Sequence, residues 1–165
     1  MPSSLSRLCK REGRRNVAYL AGIVIALGVS ILARVVGFDR DRAFYPTVLL
    51  VIASYYVLFA VMGGSPQAML IESIVMAAFG LVAIIGFRFN LWLVVGALAA
   101  HGIFDFFHAD LVRNPGVPRW WPAFCLTFDV AAAAFLAWLI VRAIQSRHVS
   151  IMPAAGIVGA SRRIP

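Results

Sequence analysis

Five apolar runs, each long enough to cross a hydrocarbon core, constrain this chain more than any other feature. They cover about residues 16–36, 45–62, 68–87, 91–108 and 122–144. A helix crossing a bilayer needs roughly 20 predominantly apolar residues. In lipid, every backbone N–H and C=O must also be satisfied within the segment or by a closed barrel. The runs are continuous rather than alternating, so the expected fold is all-α, a polytopic transmembrane helix bundle of five spans. Composition decides the class in the same direction. The chain is 62% hydrophobic and 13% charged, with mean hydropathy +0.88, whereas a soluble domain is about 25% charged. Its 165 residues suit one bundle.

The connectors carry ordinary helix punctuation. Residues 1–15 form a basic tail with Arg7, Lys10, Arg11, Arg14 and Arg15. The positive-inside tendency predicts that this tail is cytosolic. The first run is too long for a signal-peptide core and ends without a small-x-small cleavage site, so it is expected to be retained. Within it, Ala18, Gly22 and Ala26 recur every four residues, a spacing that lets another helix approach closely. Pro46 opens the second run, and Ser65 before Pro66 is the expected N-cap of the third. Asn114-Pro-Gly116 marks a turn, and Trp120 and Trp121 read as interfacial aromatics. The tail 145–165 is basic and mixed, and Val149 to Ala160 is too short and too broken by Gly and Pro to span. No internal repeat is visible.

The net charge of +8 gathers at segment ends and in the tails. This distribution suits topology determination and contact with anionic lipid. It leaves no basic face for nucleic acid, so the expected partner is the lipid bilayer. Cys9 and Cys125 form neither a disulfide framework nor a CxxC metal motif.

Against this background the ionisable residues stand out. His101, Asp105 and His108 occupy the last two turns of the fourth run. Glu72 lies one turn into the third, and Asp129 two turns into the fifth. Antiparallel neighbours place all five in the same half of the membrane, whichever way the chain is inserted. At 1.5 Å per residue, Glu72 lies roughly 6 Å deep, His101 roughly 10 Å and Asp129 roughly 11 Å. Positions 101, 105 and 108 fall within an arc of about 60° on one helix face. A carboxylate at such depth costs several kcal/mol unless it is paired, protonated or hydrated. The five groups are therefore expected to face inward and meet.

Two kinds of role remain open for them. One is an interhelical hydrogen-bond network, with Asp129 pairing Arg119 or Arg113 and with Tyr56, Tyr55 and Ser54 extending it. The other is a ligand-binding site built from His101, Asp105, His108, Asp129 and Glu72. Within that site His101, Asp105 and His108 are the candidate ligands of a divalent metal such as zinc. His101 and His108 stand roughly 10 Å apart along the axis, so all three on one ion would be strained. Asp105 with His108, plus a group from another helix, is the easier set. In an enzyme, Glu72 or Asp129 would be the general base for a metal-activated water attacking a lipid ester or amide. Cys125 reads as a small hydrophobe.

The run H-G-x-x-D-x-x-H at 101–108, followed by V-P-R-W-W-P-x-F-C-x-x-F-D at 117–129, resembles the pattern of a bacterial family of small multi-pass membrane proteins of unknown function. That resemblance covers about residues 96–129, implies a bacterial inner-membrane location and brings no activity with it. In chemical character the polar set is also similar to the alkaline ceramidase and progestin/adiponectin-receptor hydrolases, seven-helix proteins with a membrane-embedded zinc. This chain departs from them in helix number and histidine spacing, so their ligand assignments do not transfer. Three functions follow as expectations: a membrane protein whose pocket binds a metal or a small or lipid-like ligand, a non-catalytic packing or assembly subunit, and a proton-coupled transport component. The last would need a homo-oligomer to form a path.

Overall fold

In the computed structural model the described residues are 4–151, and they form five α-helices with no strand. These are α1 (Ser4–Val36), α2 (Phe44–Met62), α3 (Pro66–Arg88), α4 (Leu91–Leu111) and α5 (Trp121–Ile151). All five are long and apolar enough to cross a membrane. The chain is thus an all-helical bundle of membrane-spanning type, as its apolar runs predict.

Helix ends extend beyond the hydropathic boundaries. Helix α1 begins at Ser4, inside the basic tail, and α5 continues past residue 144 to Ile151. Helix α4 runs three residues past His108. The cause is common to all three. Hydropathy marks where lipid contact stops, but a helix continues until a cap or a breaker ends it. Residues 152–165, most of the predicted C-terminal tail, lie outside the described residues. Start signals are local. The Ser65 side chain accepts from the Ala68 N–H at 3.2 Å, with Pro66 behind it. Asn90 caps α4 by accepting from the Trp92 N–H at 3.0 Å.

Helices α2 and α3 pack along one another, as do α3 and α4, and α4 and α5. Although α1 precedes α2 in the chain, it joins the bundle through α5. The small-residue stripe faces that contact: Ala18 and Ala26 are buried, and Thr127 of α5 donates to the Tyr19 carbonyl at 2.9 Å. A Cβ on Gly22 would lie 2.2 Å from Thr127 Oγ1 and 2.3 Å from the Phe124 carbonyl oxygen, so only glycine permits this approach.

Burial is inverted relative to a water-soluble protein. Leu20, Val24, Leu70, Ile74, Ile84 and Phe106 point outward, while His101, Glu72, Asp105 and Asp129 are among the most deeply buried side chains. Outward apolar faces are what lipid requires. The interior divides into two halves. Tyr45, Leu49, Ala83, Val94, Leu98 and Leu136 form an apolar core toward one membrane side. The polar residues occupy the other half, toward the α2–α3 turn and the α4–α5 connector.

Candidate metal centre

Helix α4 supplies three of the polar side chains, and its length divides them between two neighbours. Residues 101 and 108 are separated by about 10 Å of axial rise. Within that length His101 meets Asp129 of α5 and His108 meets Glu72 of α3.

The deeper group is His101, Asp105 and Asp129, each with no measurable exposure. His101 Nδ1 lies 2.7 Å from Asp129 Oδ2 and 3.3 Å from Asp105 Oδ2. One donor atom from each of the three residues falls within 4.8 Å of the others. Gly102 makes this possible, because a Cβ there would stand 3.1 Å from the Leu126 carbonyl and 3.4 Å from Asp129 Cβ. The Tyr56 hydroxyl of α2 donates to Asp105 Oδ1 at 2.6 Å and fixes that carboxylate's orientation. The Phe79 ring closes the remaining side, edge-on to His101 at 4.9 Å.

The shallower group is Glu72 and His108. His108 Nε2 lies 2.8 Å from Glu72 Oε1. Asn114, in the α4–α5 connector, donates through Nδ2 to the same Glu72 oxygen at 3.1 Å and to the Tyr56 carbonyl at 3.0 Å. The Tyr56 ring stacks on His108 at 4.2 Å between centroids. Tyr56 thus joins the two groups, with its ring against one and its hydroxyl in the other.

All five expected residues converge in one half of the bundle, but their partners differ from those expected. Asp105 and His108 do not share a donor site; His108 is turned to Glu72, outside the three-residue group. Asp129 pairs with His101 rather than with Arg119 or Arg113, both of which are exposed. Glu72 likewise stands apart from the group it was expected to serve as a base. Cys125 is buried and outside the donor group, as expected of a small hydrophobe. The main site contacts absent from the sequence reading are those of Asn114 to Glu72 and Tyr56. Asn114 Oδ1 accepts from the Gly116 N–H at 3.2 Å, the expected turn role. The same turn leaves Nδ2 free to donate, and no local pattern says to what.

Two carboxylates flank one imidazole in the deep group, and among the described residues no Lys or Arg pairs with them. Asp105 Oδ2, Asp129 Oδ1 and His101 Nε2 are buried without a hydrogen-bond partner. Buried polar atoms left without a hydrogen bond point to water or an ion. Donors held about 2.1 Å from a tetrahedral zinc lie about 3.4 Å apart. The Asp105–His101 separation matches this spacing, while the 2.7 Å Asp129–His101 contact would open slightly to admit an ion. The group can hold a proton or a divalent cation. No family model, curated protein or solved structure compared with the chain matches it.

Proposed function

We propose that this is a multi-pass membrane protein that holds one divalent metal ion, zinc best suiting the donors, on His101, Asp105 and Asp129. The observation carrying this reading is the convergence of three fully buried donors from two helices, with unpartnered oxygens and no cationic side chain to balance them. Three protein ligands would leave a coordination position open, the arrangement of catalytic rather than structural zinc. A water there would suit attack on a lipid ester or amide. The pattern at 101–129 is the ground for proposing a bacterial inner membrane.

The test is metal analysis of purified full-length protein after zinc loading, beside Asp105→Asn, Asp129→Asn and His108→Gln. About one ion per chain is expected in the wild type and in His108→Gln, with loss of at least tenfold in the two Asn variants. Absence of metal from the wild type, with thermal stability indifferent to chelator, overturns the reading. One observation favours a second reading, a purely structural network: at 2.7 Å, His101 Nδ1 and Asp129 Oδ2 already hydrogen-bond to each other. In that case Asp129→Asn, whose amide oxygen still accepts, keeps both fold and stability.

A further inference from the structure

A cavity of about 680 Å³ opens where the α2–α3 turn meets the α4–α5 connector. His108, Asn114, Gln67, Arg113 and Arg119 contribute to its walls, and no acidic side chain does. Glu72 is buried behind it, with Oε1 committed to His108 and Asn114. Arg113 and Arg119 are exposed, and neither pairs with an acid among the described residues. The cavity therefore offers two uncompensated cations and the Gln67 amide, since both Asn114 N–H groups are already used.

The connector that carries both arginines is pinned. Asn114 ties it to Glu72 and to the Tyr56 carbonyl, and Gly116 lies directly against the α2 terminus at Phe59 and Gly63. On a pinned loop the backbone ordering cost of binding an anion is already met, and only the arginine side chains remain to be ordered. Trp120 and Trp121 follow immediately and mark headgroup depth. At that depth the abundant anion is a lipid phosphate.

We propose that this cavity binds the headgroup phosphate of an anionic membrane lipid between Arg113 and Arg119. The site is separate from the His101–Asp105–Asp129 centre, because neither arginine belongs to that group, and it stands whether or not a metal binds there.

The test is native mass spectrometry of the delipidated full-length chain, titrated with phosphatidylglycerol, phosphatidylcholine or inorganic phosphate. Each interfacial arginine contributes about fivefold in affinity for anionic lipid. Arg113→Gln with Arg119→Gln should weaken phosphatidylglycerol binding by roughly an order of magnitude or more. Arg88→Gln with Arg147→Gln removes equal charge from the far ends of α3 and α5 and should leave binding unchanged. All variants alter exposed side chains, and helicity by circular dichroism checks that they fold. Equal loss in both double variants, or phosphatidylglycerol held no better than phosphatidylcholine, overturns the proposal. Inorganic phosphate bound as tightly as the lipid overturns the lipid assignment.

Discussion

Replacing Gly116 with alanine tests whether the α4–α5 connector holds the polar half together. Gly116 does not need a left-handed backbone; among the described residues the positive-φ ones are Arg42, Gly37 and Gly64. What it needs is space. A Cβ there would fall 1.9 Å from the Phe59 carbonyl oxygen and 2.9 Å from the Gly63 nitrogen, both backbone atoms that no rotamer change can move. The connector must retreat by roughly 1.5 Å to restore ordinary contact near 3.5 Å. Overpacking of this kind costs about 1–3 kcal/mol. The retreat also carries Asn114 away from Glu72, two residues along. A hydrogen bond to a charged group contributes about 1.5–3 kcal/mol. The expected loss is therefore about 2.5–6 kcal/mol in equilibrium unfolding of the detergent-solubilised protein. Trp121 fluorescence should shift, because its ring sits 5.0 Å from both Tyr55 and Phe59. Gly96→Ala is the control: nothing lies within 4 Å of its Cβ position, and alanine in a helix interior should be neutral or stabilising by up to about 1 kcal/mol. If the connector acts through Asn114, Gly116→Ala combined with Asn114→Ala should cost less than the sum of the two. Gly116→Ala within about 0.5 kcal/mol of wild type, or strict additivity with Asn114→Ala, would refute the reasoning.

Two further outcomes follow from the packing. Gly22→Leu should pry α1 from α5, costing about 1–3 kcal/mol and exposing the first span to protease, while Gly28→Leu, with open space around it, should be silent; equal behaviour of the two would mean that α1 is not seated through Gly22. Glu72→Leu and His108→Leu should each cost about 3–5 kcal/mol by stranding a buried partner. Their double variant should fall short of the sum by about 1–3 kcal/mol in the same unfolding assay, and additive costs would show that the pair is not energetically joined.

The span count and the side of the bundle on which the polar residues lie were legible from one rule. Hydrocarbon satisfies no polar group, so long apolar runs must be helices and buried acids must turn inward. Partner choice was not legible. Helical periodicity puts His101, Asp105 and His108 on one arc, but it cannot say that α5 meets the lower end of that arc and α3 the upper. For α5 that depends on glycine at 102, where a missing Cβ sets how closely the helices approach. Asn114 shows the same limit within a loop. Its turn signal was readable because an Asx turn is local, whereas its bonds to Glu72 and Tyr56 span 42 and 58 residues.

Charge counting separates the two halves of the cluster more sharply than distance does. Glu72 and His108 balance when the imidazole is protonated, since one negative and one positive charge sum to zero, and Asn114 adds a neutral donor to the same oxygen. The deeper group cannot balance that way. Two carboxylates and one protonated imidazole leave a net charge of −1 in a region where an isolated charge costs several kcal/mol. A further proton shared between the two aspartates would cancel it. So would a divalent ion with a neutral imidazole, because −2 and +2 sum to zero, and the neutral ring is the form in which histidine ligates metal. A monovalent cation with that neutral ring would leave −1, and a trivalent one +1. The surplus negative charge thus falls on the three residues whose donor atoms converge, and it selects charge +2 for any ion that binds between them.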